Sequence, residues 1–154
     1  MTVHEEKAKA LFLSGYNCSQ AVFGAFCDLT GMELSAAMRL SSSMGGGMGR
    51  LREVCGAVSG MFLAAGLLYG YDDPAAAAEK REHYARIRTL AEEFKALHGS
   101  IVCRELLSGT NATAGGEPQK RTEAFYKERP CVHMVCDAAR LLDEYIAHYP
   151  VKAK

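Results

Sequence analysis

Four cysteines stand at or near the predicted starts of four different helices, where a thiol can be activated. They are Cys18 after an asparagine cap, Cys55 after a glycine run, Cys103 after a Gly-Ser break and Cys131 after a proline. The partial positive charge of a helix N-terminus stabilises a thiolate, which is the form of cysteine that attacks disulfides and binds metals. These four residues are therefore the candidate catalytic or metal-binding residues.

The other two cysteines predict a different role. Cys27 lies nine residues after Cys18, and Cys136 lies five residues after Cys131, so each faces another side of its helix from its neighbour. We interpret Cys27 and Cys136 as small hydrophobic residues of the core. Because the sequence contains no Cys-x-x-Cys pair, the zinc-ribbon and thioredoxin signatures are absent. Any shared site must be assembled from distant segments.

A Gly-Gly-Gly-Met-Gly run precedes Arg50. It lacks the Gly-Lys-Ser/Thr ending of a phosphate-binding loop, and no predicted strand precedes it, which excludes the P-loop and Rossmann interpretations. Two interpretations remain. The run allows the chain to turn before a closely packed helix, or its backbone N–H groups at Gly46, Gly47 and Gly49, with Arg50, bind an anionic cofactor or a thiolate near Cys55.

Helical periodicity dominates the chain and predicts an all-α fold. The predicted helices cover residues 3–14, 18–29, 33–42, 51–68, 74–97, 122–128 and 131–148, and residues 100–107 are a candidate for a further short helix. We expect residues 1–154 to form one domain, a compact bundle of six to seven helices around the glycine-rich apolar helix 51–68. On that helix, Gly56 and Gly60 share a face where another helix can approach closely. The polar segment 108–119 is predicted to be a mobile loop.

Composition excludes several classes of function. The chain has 18 basic and 18 acidic residues, so it lacks the positive charge expected of a nucleic-acid-binding protein. The apolar stretch 54–69 is shorter than the roughly 20 residues of a membrane-spanning helix, so we predict no membrane insertion. The charged start of the sequence does not resemble a signal peptide, and we expect a cytoplasmic protein. The five histidines form no HExxH pattern.

Residues 55–60, Cys-Gly-Ala-Val-Ser-Gly, resemble the CGAxxG motif of a family of redox-active proteins named C-GCAxxG-C-C for its cysteine pattern. In that pattern an early cysteine, the motif cysteine and two later cysteines correspond to Cys18, Cys55, Cys103 and Cys131. The glycine run before the motif also resembles the family, and the resemblance extends roughly from Cys18 to Ala139. It implies a redox site at these cysteines. Because the family is often encoded near transporter genes, it also implies a transporter component as a partner.

Three functions stay open from the sequence. The first is thiol redox chemistry by a thiol/disulfide oxidoreductase, in which Cys55, activated by its helix end and by Arg50 or Arg52, attacks first and Cys18 or Cys131 resolves the intermediate. The second is a zinc or iron–sulfur site ligated by the same four thiolates. The third is a non-catalytic module linked to transport, which binds a partner protein. A redox partner protein and a homodimer fit these hypotheses.

Overall fold

Helices account for the regular structure of the protein. The structure is a computed structural model that describes residues 1–152. Its α-helices are α1 Val3–Leu13, α2 Cys18–Ala25, α3 Cys27–Thr30, α4 Leu34–Ser41, α5 Gly45–Met48, α6 Gly56–Tyr69, α7 Ala77–His98, α8 Cys103–Leu106, α9 Glu123–Glu128 and α10 Cys131–His148. No β-strand forms within residues 1–152, and the all-α prediction is confirmed.

The core lies between α2 and α6, which pack against each other along their buried faces. α1 lies against α2 and α10, and α7 lies against α6 and α10. Most of the largest fully buried side chains come from α1, α2, α6, α7 and α10 and from the turn after α2, and they include Phe12, Phe23, Phe26, Met61 and Phe94. The predicted central helix therefore shares the centre with α2. Among the described residues, no helix combines the length and the apolar character needed to cross a membrane.

The start of α2 follows directly from local sequence. Asn17 and Gln20 form a capping box, in which the Gln20 backbone N–H donates to Asn17 Oδ1 at 2.9 Å and the Asn17 N–H donates to Gln20 Oε1 at 3.0 Å. Such reciprocal bonds satisfy N–H groups that otherwise have no partner at a helix start. The predicted cap at Asn17 is confirmed, and it makes Cys18 the first residue of α2.

Glycines on α6 let α2 come close. A Cβ atom on Gly56 would overlap Cys18 Sγ. A Cβ atom on Gly60 would lie 2.7 Å from the Ser19 carbonyl oxygen and 3.1 Å from Val22 Cβ. The close helix approach predicted from this face is confirmed, and it places Cys18 beside the first turn of α6.

Three predicted helix boundaries are wrong. The predicted helix 51–68 begins only at Gly56, because the backbone before it is left-handed at several residues, including Arg50 and Arg52. The predicted helix 18–29 is interrupted at Phe26, where φ is −98° and ψ is 12°. The predicted helix 74–97 begins at Ala77, because Asp73 Oδ1 accepts the Ala75 N–H at 2.9 Å and holds a turn.

A buried histidine in the first turn of α1 contacts two other helices. His4 Nδ1 contacts Asp143 Oδ1 of α10 at 2.5 Å, and His4 Nε2 contacts Asp28 Oδ1 of α3 at 2.9 Å. The imidazole ring stacks on Phe26 with 4.3 Å between the ring centroids. This polar cluster therefore ties α1 to both α3 and α10.

Candidate functional site

The four cysteines identified in the sequence line one cavity of about 330 Å³. Cys18, Cys103 and Cys131 are the first residues of α2, α8 and α10, and Cys55 immediately precedes α6. Cys55 and Cys103 are buried, whereas Cys18 and Cys131 are half-buried. All six cysteines are free thiols, and the remaining two, Cys27 and Cys136, do not line this cavity.

A short antiparallel contact joins the segment that carries Cys55 to the segment that carries Cys103. The Cys55 backbone N–H donates to the Ile101 carbonyl oxygen at 2.8 Å, and the Cys103 N–H donates to the Glu53 carbonyl oxygen at 2.6 Å. Val54 and Val102 form the isolated β-bridge at the centre of this contact, so Cys55 and Cys103 lie diagonally across it. The chain before α6 and the chain before α8 thus bring both buried cysteines to the wall of one cavity.

The glycine run forms a left-handed turn that supplies part of the cavity wall. Gly46 and Gly47 both have φ of 68°, Gly49 has 61°, and the non-glycine residues Arg50 and Arg52 have 66° and 60°. Each non-glycine residue in this conformation costs about 1–2 kcal/mol. Of the predicted cofactor-binding residues, Gly46, Gly49 and Arg50 line the cavity.

Gly47 has a different role in this turn. It is buried, and a Cβ atom on it would lie 2.7 Å from Cys103 Cβ and 2.8 Å from Arg52 Cα. Its carbonyl oxygen accepts the Glu53 N–H at 2.9 Å, which closes the turn. Gly47 therefore provides space for α8 rather than a surface of the cavity.

Sequence reasoning missed two arginines of the site. Arg121 and Arg129 line the cavity with Arg50 and Arg52, and none of its described lining residues is acidic. The Arg121 guanidinium lies over the ring of Phe125 at 4.7 Å, and that of Arg129 lies over the same ring at 4.9 Å. The one local signal for Arg129 was its position two residues before Cys131. No local signal marked Arg121.

The arginines of the glycine turn hold a segment that contributes to the cavity wall. Arg50 Nε donates to the Gly115 carbonyl oxygen at 2.7 Å, and Arg52 Nε donates to that of Thr113 at 3.0 Å. The Gly115 N–H in turn donates to the Arg50 carbonyl oxygen at 2.9 Å. Part of the segment 108–119, which the sequence predicts to be a mobile loop, is thus bonded to the turn, and Pro118 lines the cavity.

The two other arginines keep unused donors. Arg121 Nη2 donates to the Tyr16 carbonyl oxygen at 3.1 Å, and Arg129 Nη2 donates to Gln119 Oε1. Arg121 Nη1 and Arg129 Nε are buried and have no hydrogen-bond partner within the described part of the chain. Buried donors without partners are costly, because folding removes their bonds to water.

Burial dominates the acidity of three cavity thiols. It raises the pKa of Cys18, raises the pKa of Cys55 well above its ordinary value, and raises the pKa of Cys131 to about 12. The backbone amides of Val58 and Ala57 favour the Cys55 thiolate, but their effect is smaller than that of burial. The raised pKa of Cys55 is the opposite of the lowered pKa expected for a thiol at a helix start.

Cys103 has a cationic partner. Arg52 Nη1 donates to Cys103 Sγ at 3.6 Å, and both residues are buried. A charged donor stabilises a thiolate more than it stabilises a neutral thiol. The negative charge of an ionised Cys103 also raises the pKa values of Cys18 and Cys131, which places all three thiols within one electrostatic neighbourhood.

The donor chemistry of the cavity suits a soft metal, but the geometry does not. Four thiolates are a common ligand set for zinc and for iron–sulfur clusters. Within residues 1–152, however, no group of three or more histidine, cysteine, aspartate or glutamate side chains is arranged to hold a metal ion. Metal ligation by Cys18, Cys55, Cys103 and Cys131 stays a prediction from the sequence.

Comparison with known proteins identifies the family. A family model described as "Putative redox-active protein (C_GCAxxG_C_C)" matches residues 16–145, which include all four cavity cysteines. A search of curated proteins and a search of solved structures each found no match. The family match covers most of the chain and supports a redox role. The chain therefore belongs to the C_GCAxxG_C_C family of redox-active proteins.

Proposed function

We propose that the protein performs thiol–disulfide exchange with the cysteines of its cavity. The observation that carries this proposal is the presence of four free thiols, from four separate segments, on the wall of one cavity. A dithiol needs two sulfurs that small movements can bring to bonding distance, with Cα atoms about 4.4–6.8 Å apart. The membership of a redox-active family supports the same function.

We assign the first attack to Cys103 rather than to Cys55. The Cys103 sulfur already accepts a hydrogen bond from the Arg52 guanidinium, which favours its thiolate. Burial instead raises the pKa of Cys55 well above its ordinary value, so Cys55 is a protonated thiol near neutral pH. Cys18 and Cys131 are the partners for resolution, because both lie within the electrostatic influence of Cys103.

The exchange is balanced by the substrate disulfide. The Cys103 thiolate attacks one sulfur of that disulfide, forms a mixed disulfide with it and releases the other half as a thiolate. Cys18 or Cys131 then loses its proton and attacks the Cys103 sulfur, which releases the second half. The protein dithiol is oxidised to a disulfide, and the substrate disulfide gains two electrons. The two halves of the substrate become thiols with the proton of the resolving cysteine and one proton from solvent.

Thiol counting after mild oxidation tests this function. Fully reduced protein is incubated with a small neutral disulfide, unfolded, and titrated for free thiols, and disulfide-linked peptides are identified by mass spectrometry. We expect the six free thiols to fall by two, with a disulfide between Cys103 and either Cys18 or Cys131. A constant thiol count would refute the proposal.

Matched serine variants separate the site from the rest of the chain. Cys103→Ser should prevent the loss of thiols, whereas Cys136→Ser should not, because Cys136 is a buried cysteine that does not line the cavity. Metal content measured on protein purified without oxygen is the complementary test. Near-stoichiometric metal bound through these cysteines would contradict a dithiol function and support the zinc or iron–sulfur hypothesis.

A further inference from the structure

The cavity also indicates which disulfides can react in it. Resting on the proposed function, we infer that the substrate is a low-molecular-weight disulfide that carries negative charge, such as a carboxylate, close to its sulfur atoms. The inference depends on the charge of the cavity wall, on the unused donors of two arginines, and on the size and enclosure of the cavity.

The cavity wall carries more positive charge than the Cys103 thiolate alone can balance. Arg50, Arg52, Arg121 and Arg129 line it, and no described lining residue is acidic. The nearby carboxylate of Glu53 is engaged elsewhere, since it accepts from Arg104 Nη2 at 2.6 Å. Buried charge is unfavourable without a partner of opposite sign. An anionic ligand would supply that partner.

Arg129 and Arg121 have the hydrogen-bonding capacity for such a ligand. The exposed fraction of Arg129 is 5%, yet its Nε has no partner among the described residues. Arg121 Nη1 is in the same situation. The planar guanidinium group binds carboxylates and other oxyanions through paired hydrogen bonds. A carboxylate bound at Arg129 would give its Nε a partner, and Arg121 supplies a second unused donor.

Mutual repulsion among the arginines points in the same direction. The pKa of Arg129 is lowered by burial and by the positive charges of Arg52 and Arg50, and an ionised Cys131 would raise it. The Arg129 guanidinium remains charged near neutral pH, but the neighbouring positive charges make its electrostatic surroundings unfavourable. An anion bound beside it would offset this repulsion.

Size and enclosure favour a small molecule over a disulfide on a folded partner protein. About 330 Å³ is at the lower end of the range for small-molecule sites. Cys55 and Cys103 are only 5% and 7% exposed, and they lie on the wall of this cavity. A disulfide on the surface of a folded partner protein could not reach the Cys103 sulfur without entering the cavity. Aromatic and aliphatic residues, including Phe12 and Leu106, complete the wall.

The reaction is the thiol–disulfide exchange described above, with the substrate now held in the cavity by its negative charge. The substrate carboxylate binds Arg129 and Arg121, the Cys103 thiolate attacks the adjacent sulfur, and one half of the substrate departs as a thiolate. A second cavity thiol then displaces the other half from Cys103. Two electrons pass from the protein dithiol to the substrate disulfide, and two anionic thiols leave the cavity.

Two disulfide reagents of opposite character test the inference. The rate of thiol modification is measured with 5,5′-dithiobis(2-nitrobenzoate), a dianion, and with 2,2′-dithiodipyridine, which is neutral at pH 7.5. Each rate is divided by that of free cysteine with the same reagent, and the protein carries Cys27→Ser and Cys136→Ser so that only cavity thiols react. We expect the normalised rate to be about tenfold higher for the dianion, which corresponds to one favourable charge interaction.

Variants of the arginines identify the source of any preference. Arg129→Gln should lower the ratio of the two normalised rates about tenfold, and Arg121→Gln should lower it in the same direction while changing a less buried residue. Because both reagents report on the same variant, the ratio separates a lost charge from a general loss of structure. Arg88→Gln, an exposed arginine of α7 outside the cavity, should leave the ratio unchanged.

The outcomes distinguish the inference from the function beneath it. If the neutral reagent oxidises the cavity thiols and the dianion reacts no faster, the anionic substrate is refuted while thiol–disulfide exchange stands. If neither reagent oxidises a pair of thiols, the proposed function fails as well. A ratio that falls equally in Arg88→Gln would show only a general charge effect and would refute the assignment to the cavity.

Discussion

Replacing Cys131 by alanine should make the protein less sensitive to alkaline unfolding. Burial and the negative charges of ionised Cys18 and Cys103 raise the pKa of Cys131 from 9.0 to about 12, against the opposing effect of the positive charges of Arg129 and Arg121. In the unfolded chain the thiol regains its ordinary pKa and ionises near pH 9. Between these values the folded protein keeps a proton that the unfolded chain has lost, so rising pH favours unfolding.

The magnitude follows from the pKa difference. The stabilising contribution of Cys131 is fully present below pH 9, the pKa of the unfolded form, and is lost as pH rises through about 12, the folded value. One pKa unit corresponds to about 1.4 kcal/mol, so the full loss is about 4 kcal/mol. Over each pH unit within this window, the wild type should lose about 1.4 kcal/mol more unfolding free energy than Cys131→Ala.

Urea unfolding followed by circular dichroism provides the assay, at pH 8, 9, 10 and 11 under reducing conditions. Tyrosine and lysine side chains titrate in both proteins, so the difference between the two curves isolates residue 131. Cys27→Ala is the matched control, because Cys27 lies outside the cavity and is less enclosed than Cys131. Parallel pH profiles for wild type and Cys131→Ala would refute the claim that burial controls the acidity of this thiol.

Three further predictions concern the elements that shape the site. Gly47→Ala should destabilise the protein by about 1–3 kcal/mol more than Gly49→Ala in urea unfolding, because both have positive φ but only Gly47 faces Cys103; equal losses would contradict the steric argument. Asp28→Asn should make the protein less sensitive to acid unfolding. Burial alone would raise the pKa of Asp28, but His4 and a nearby lysine lower it, so the stabilising contribution of Asp28 is lost as pH falls through its lowered pKa. Equal acid-unfolding midpoints for the wild type and the variant would contradict this prediction. Arg52→Lys should slow alkylation of Cys103 by about tenfold at pH 7. An unchanged alkylation rate would show that Arg52 does not activate Cys103.

Local patterns in the sequence predicted the all-α class and singled out four candidate cysteines. The capping box at Asn17 involves residues only three positions apart, and Gly56 and Gly60 lie on one face of a helix. Residue spacing was therefore enough to predict the start of α2 and a close helix contact. The all-α class and the close approach of α2 to the glycine face followed from these patterns. Helix boundaries were less accessible, because turn chemistry at Asp73 and left-handed residues such as Arg52 override helical periodicity.

The sequence by itself therefore determined which thiols were candidates and which helices carry them. Only the tertiary structure decided their surroundings. Arg121 and Arg129 reach the cavity through contacts with residues far away in the chain, such as Tyr16 for Arg121, and no local pattern encodes such contacts. The acidity of Cys55 was also decided there: the helix start favours its thiolate, but burial in the assembled fold raises its pKa. A local dipole can be read from sequence, whereas desolvation depends on every segment that closes over the thiol.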